Sequence, residues 1–274
     1  MKIPRRPAFD QKLLQQAQLL PSEALARPAI VFAPHPDDET LGCGGTIVEK
    51  LAAGASVHVV FMTDGSRSHR HLMDPRELGL LRVDEARAAL AALGVDPGQS
   101  TFLMYEDRRL GQSEADAVSR VRGLMDQFGP EDVFIPYRHD VTPDHLATWR
   151  IVREALRSSK RPVWINEYPI WHWHHWPFIS LPLTLERKTL RVWRDSLLNR
   201  FGARAFRDFR TAVYIGDALD RKRNALEAHA SQAQRLKDRW PILADVADGE
   251  FLDCFFQAHE FFFRYRYPQG HLRG

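Results

Sequence analysis

Short apolar runs alternate with longer stretches of helical period over the first two thirds of this chain. Residues 29–33, 56–63, 101–105, 133–137 and 163–168 are short, largely apolar runs that read as buried strands. Between them, 41–53 closes at Gly54, and 76–93 carries Leu80, Leu81, Val83, Ala86 and Leu90 before a stop at Gly94. Residues 114–128 end at Gly129-Pro130, and 144–158 complete the set of expected helices. Strands that alternate with helices require right-handed crossovers, so the expectation is an α/β fold: a Rossmann-like, mostly parallel sheet flanked by helices. After Pro169 the alternation stops. Residues 170–182 are rich in Trp and His, 185–201 and 219–237 read as helices, and 211–215 as a further strand. The aromatic and basic tail, 251–267, reads as core or an oligomer contact, with a membrane-facing or partner surface as the alternative. With no repeat, low-complexity tract or linker, the chain reads as a single domain, 1–274, with a core at about 27–168 and a C-terminal elaboration over 169–274.

Composition changes this picture little. A net charge of +3 over 274 residues gives no reason to expect nucleic acid as a partner. Cys43 and Cys254 are too few for a disulfide framework and fit a reducing compartment. No secretory signal core and no stretch long enough to cross a bilayer is evident, so a cytoplasmic protein without an integral membrane segment is expected.

Candidate chemistry begins at PHPDDETLGCGG, 34–45, directly behind the first apolar run. His35, Asp37, Asp38 and Glu39 stand at the carboxyl end of an expected parallel strand, where open sheets bind ligands. Several carboxylates at one strand end repel one another unless a cation joins them. Mixed imidazole and carboxylate donors suit zinc, and a catalytic zinc takes three protein ligands. The same junction also fits a helix cap, with an Asp accepting from helix N–H groups. A second strand end, RHDVTPDHLATW over 138–149, brings His139, Asp140, Asp144 and His145 and favours the metal.

The segment APHPDDETLGCGG closely resembles the opening motif of the PIG-L/LmbE-like zinc deacetylases. That family includes the N-acetylglucosaminyl-phosphatidylinositol deacetylases and the deacetylases of mycothiol and bacillithiol synthesis. DVTPDH matches a second motif, an Asp followed by His-Pro-Asp-His, and FMTDG and KRNALEAHASQ resemble further family features. The resemblance implies zinc ligation by His35, Asp38 and His145, and Asp37 as general base, with Glu39 supporting the site or capping the helix. One departure matters: Thr142 stands where the family has a histidine thought to stabilise the oxyanion. The resemblance leaves that role to the Thr142 hydroxyl, to a substitute such as His139, or to zinc alone, with Asp140 and Asp144 as supporting groups. It also implies substrate contacts for Arg82, in an Arg-x-x-Glu pattern with Glu85, and for Asp107.

The segment YPIWHWHHWPF supplies Trp171 and Trp173 as candidate platforms for a sugar ring, against the alternative of a core-covering loop. Gly42, Gly44 and Gly45 read as permitting close helix–sheet approach rather than phosphate binding, since the loop is acidic. The activity implied is zinc-dependent removal of the N-acetyl group from an N-acetylated amino sugar or glycoconjugate. Another metal-dependent amide or ester hydrolase, or a non-catalytic metal- or ligand-binding protein, are the competing readings. A homo-oligomer is compatible with the sequence.

Overall fold

The computed structural model describes residues 2–6, 8–159, 161–183 and 187–268. Its strands are β1 (Lys2–Ile3), β2 (Gln18–Leu19), β3 (Ala29–Ala33), β4 (Val57–Thr63), β5 (Ser100–Tyr105), β6 (Asp132–Pro136), β7 (Val163–Tyr168), β8 (Leu181–Pro182), β9 (Thr211–Tyr214) and β10 (His259–Tyr267). Helices are α1 (Ala8–Gln16), α2 (Ser22–Leu25), α3 (Asp38–Ala52), α4 (Pro75–Leu93), α5 (Glu114–Phe128), α6 (Pro143–Arg157), α7 (Arg187–Leu198), α8 (Ala203–Asp208), α9 (Leu219–Ala228), α10 (Ala230–Ala233) and α11 (Glu250–Asp253).

Eight strands form one sheet in the order β2-β9-β10-β7-β6-β3-β4-β5. Five of them, β7-β6-β3-β4-β5, run parallel to one another. The period-2 alternation within each strand feeds two separate cores. Val31, Val59 and Phe61 face α3, α4 and α9, while Ile30, Phe32, Val60 and Val133 face α5 and α6. The chain leaves β3 towards β4 on one side and returns to β6 on the other. The carboxyl ends of β3 and β6 therefore flank the switch point at which open sheets bind ligands.

The tail departs from the sequence expectation. Residues His259–Tyr267 form a full strand, antiparallel to both β7 and β9. Its aromatic and basic residues belong to an interior strand between β9 and β7, with Phe262 buried and Arg264 bound to Asp132. The expected helix at 219–237 is interrupted at His229, which has φ −77° and ψ 58°. The expected helix at 185–201 is described only from Arg187, and residues 185 and 186 lie outside the described residues, as do 269–274 of the elaboration. Helix α3 starts at Asp38, three residues earlier than expected, so the acidic cluster occupies its first turn.

Close approach explains the glycines of α3. A Cβ at Gly42 would lie 2.3 Å from the Tyr168 ring, and one at Gly45 would lie 2.5 Å from Ile215. The helix can sit against β7 and the chain after β9 only because those side chains are missing.

Candidate metal centre and active site

Strand β3 delivers Pro34 to the sheet end, where its carbonyl accepts from the Thr63 backbone N–H at 3.0 Å and from Thr63 Oγ1 at 2.8 Å. The turn that follows ends in Asp37 at φ 125°, a conformation that non-glycine residues rarely adopt. Such strain costs on the order of 1–3 kcal/mol and persists where surrounding bonds fix it. Here the Asp37 N–H donates to Glu39 Oε2 at 3.0 Å, and the Asp37 carboxylate accepts from Arg82 Nη2 at 3.1 Å. Arg82 also donates to the carbonyls of Gly65 and Pro36. The twist separates two adjacent carboxylates: Asp37 faces Arg82 and Asp38 faces the histidines.

Asp38 Oδ2 accepts from the His35 backbone N–H at 3.0 Å and lies 3.2 Å from His35 Nδ1 and 3.2 Å from His145 Nε2. Donor atoms of His35, Asp38 and His145 all fall within 4.8 Å of one another. His145 sits in the first turn of α6, and its Nδ1 is 2.9 Å from Asp140 Oδ2. That carboxylate fixes Nδ1 as the protonated nitrogen and leaves Nε2 with a lone pair aimed inward. Nε2 is buried and has no hydrogen-bond partner. A buried imidazole lone pair beside a carboxylate oxygen is unstable unless a proton or a cation lies between them. With two imidazoles and one carboxylate, the donor set fits zinc.

On its other side His35 Nε2 lies 3.2 Å from Asp144 Oδ2 and 3.3 Å from Asp107 Oδ1. Backbone N–H groups hold both carboxylates: Arg108 and Leu110 donate to Asp144, and Arg67 donates to Asp107. Burial works against ionising this cluster, yet the pairings override it. His35 is raised well above its usual value by its three carboxylate neighbours, and His145 is raised to about 9 by Asp38 and Asp140. Asp37 behaves oppositely. Its burial outweighs the nearby Arg82 charge, and its carboxyl is pushed up to about 6.

Glu39 and His229 form a buried support beneath this layer. Their side chains meet at 2.7 Å, which holds the Glu39 carboxyl down despite its burial. The interruption between α9 and α10 turns His229 to Glu39. Beyond it, Ser231 donates to Glu85 through its N–H at 2.7 Å and its hydroxyl at 2.6 Å. The Arg-x-x-Glu pattern of α4 thus fastens two things, the Asp37 turn through Arg82 and the α10 turn through Glu85.

A cavity of about 450 Å³ opens over these groups, lined by His35, Asp37, Asp38, Arg82, Asp107, Thr142 and Asp144. Thr142 is the N-cap position of α6, yet its Oγ1 makes no capping bond and is buried without a partner. The apolar wall is built by Ile170, Trp171, Leu243 and Phe251, with Trp171 stacked on Phe251 at 4.9 Å. Two sequence candidates lie elsewhere. Trp173 is in the core against Phe178 and Phe209, where it can serve no substrate platform. His139 is exposed with its ring edge on Tyr137, outside the cavity lining, so it is no substitute for the family histidine. Phe251, Leu243, Gln232 and Arg191 line the cavity from the elaboration and were not anticipated. Arg191 and Gln232 lie in expected helices whose pattern does not show which face meets the site, Leu243 lies outside any expected element, and only the aromatic density of the tail hinted at Phe251.

Residues 30–156 match the family model PIG-L: GlcNAc-PI de-N-acetylase. The chain is 30% identical over 241 residues to a 1D-myo-inositol 2-acetamido-2-deoxy-alpha-D-glucopyranoside deacetylase of Mycobacterium sp. (strain KMS), covering 78% of this chain and 76% of that protein. It is 26% identical over 221 residues to a probable N-acetyl-alpha-D-glucosaminyl L-malate deacetylase 2 of Bacillus cereus, covering 77% and 86%. Among solved structures, the N,N'-diacetylchitobiose deacetylase of Pyrococcus horikoshii has the same fold, with a TM-score of 0.61 at 22% identity over 94% of this chain and 91% of that one. With the strand-end motif, the switch-point cavity and these relatives in agreement, the chain belongs to the PIG-L family.

Proposed function

We propose that the protein is a zinc-dependent N-deacetylase that releases acetate and a free amine from an N-acetylated amino sugar or its conjugate. The observation that carries this reading is the buried His145 Nε2, 3.2 Å from Asp38 Oδ2 and converging with His35, beside an Asp37 held apart by a strained turn. The relatives support the substrate class, since those named above are deacetylases of N-acetylglucosaminyl compounds or of diacetylchitobiose.

His35, Asp38 and His145 would hold the zinc. When bound, zinc supplies Lewis acidity towards the acetyl oxygen and towards the attacking water. Asp37, with its carboxyl raised towards neutrality, accepts the proton of that water. It then returns the proton to the nitrogen, because a neutral amine leaves far more readily than an amide anion. Arg82 holds the Asp37 carboxylate in position. Thr142 Oγ1, a donor in the cavity lining with no partner in the protein, would bond the oxygen that gains charge. Asp140 orients His145, and Asp107 and Asp144 orient His35. Trp171 and Phe251 offer an apolar face to the sugar ring or aglycone, and a cavity of about 450 Å³ lies in the range of small-ligand sites.

The test is amine release from a panel of N-acetylglucosamine conjugates, with simple amides and esters alongside, by wild type and His35→Ala. The proposal requires release from at least one N-acetyl sugar, abolished together with zinc content in the variant. Turnover of the esters alone would replace the reading by a different hydrolase. Zinc binding with no turnover of any compound would favour a binding protein.

A further inference from the structure

Helix α7 is turned inside out. Its inward face carries Asp195, Ser196 and Asn199, all buried, with Val192 as the one apolar residue among them. Ser196 Oγ donates to the Val192 carbonyl and accepts from the Trp176 N–H, and Asn199 Nδ2 donates to the Asp195 carbonyl. The outward face carries three exposed leucines, Leu190, Leu197 and Leu198, at 50%, 67% and 56% exposure, interleaved with the exposed Arg191 and Arg194. Trp193 and Phe201 extend the ridge, with the Trp193 indole pinned to the Pro182 carbonyl at 2.9 Å. Surface helices of globular proteins show the reverse arrangement. Exposed leucines grouped in this way, over an inward face that is mostly polar, mark a contact with something apolar.

Charge identifies the partner. Among its described side chains, the segment 187–201 carries Arg191, Arg194 and Arg200 against a single acid, Asp195, which is buried and paired with Arg194. Two copies placed ridge to ridge would oppose these cations to one another. An anionic lipid surface would accept both the apolar side chains and the cations around them. The helix has 12 residues, and among the described residues no helix is long and apolar enough to cross a membrane, so it would lie in the interface. Arg191 lines the cavity as well as belonging to this helix. We infer that α7 docks the protein on an anionic membrane surface with the cavity mouth beside the lipid headgroups. This inference is independent of the chemistry proposed for the site.

Co-sedimentation of the full chain with vesicles tests it, using phosphatidylcholine alone and phosphatidylcholine with about 30% phosphatidylglycerol at roughly 0.1 M salt. The inference requires binding to the anionic vesicles, a loss of about tenfold or more in Leu197→Glu/Leu198→Glu, and weakening as salt rises. Both leucines are largely exposed, so the melting temperature should hold. If the double variant is unfolded, Arg200→Gln decides, with an expected loss of about two- to fivefold on anionic vesicles only. Absence of binding to either vesicle, or equal binding by all variants, overturns the inference. So does a dimer in sedimentation velocity that Leu197→Glu/Leu198→Glu dissociates without any vesicle binding, which would give the ridge to a second copy.

Discussion

Asp37 and Asp38 are adjacent in sequence and opposite in environment. Asp38 lies between two imidazoles, which hold its carboxyl well below the usual range despite its burial. Asp37 lies in a strained turn against one guanidinium, and burial dominates its ionisation. The proposed roles follow from that split. Asp37→Asn should retain zinc, because the three ligands remain, and should lose kcat by roughly two to four orders of magnitude. Asp38→Asn should lose affinity for zinc itself. Zinc content and amine release measured on both variants check this, and a reversed pattern would exchange the two roles. The convergence of His35, Asp38 and His145, with Asp37 beside them, was legible in the sequence because these residues lie within short motifs at two strand ends. The Glu39–His229 contact spans 190 residues and the Trp171–Phe251 stack joins two irregular segments, so no local pattern announces either.

Among the elements, α3 carries the tightest constraint. It must bring Asp38 to the sheet end while passing the Tyr168 ring, which is itself fixed by a hydrogen bond to the Phe32 carbonyl at 2.7 Å. Gly42→Ala would place a methyl group within 2.3 Å of that ring. Overpacking of this kind costs about 1–3 kcal/mol, so thermal unfolding should show a clear fall in melting temperature, with α3 displaced and zinc affinity reduced. An unchanged melting temperature would mean that the ring can move aside. The parallel strands and their helices were legible because each is a clean apolar run or a periodic stretch with a glycine stop. The break at His229 was not, since 219–237 is periodic throughout. There, the tertiary contacts of His229 with Glu39 and of Ser231 with Glu85 override local helix preference. Strand β10 was also missed as a strand. Its long aromatic run alternates with charge, and the Asp132 and Glu167 that receive Arg264 and Tyr265 are distant in sequence.

At the scale of the molecule, burial of the Trp/His-rich segment ties stability to pH. His172 and His175 are buried, and burial lowers both, His172 well below its usual value and His175 to about 4. The unfolded chain takes up a proton on His175 as pH falls through 6.5, whereas the folded chain resists until about 4. The stability associated with a neutral His175 is therefore complete above pH 6.5 and is lost as pH falls towards 4, by up to about 3 kcal/mol. His175→Asn keeps a donor for the His172 carbonyl but cannot take a charge. Its melting temperature should fall less between pH 7 and pH 5 than that of wild type. A parallel fall in the two proteins would remove His175 from the account. The assembly of the switch-point cavity from both halves of the chain leads to the central claim, that the convergent His35, Asp38 and His145 make a metal-dependent hydrolytic site. The most direct measurement of that claim strips the protein with a chelator, returns zinc in graded amounts, and follows amine release from an accepted N-acetyl sugar. The account predicts turnover that rises in proportion to zinc up to about one per chain and then stops rising. Full turnover by the stripped protein, with zinc undetectable, would contradict it.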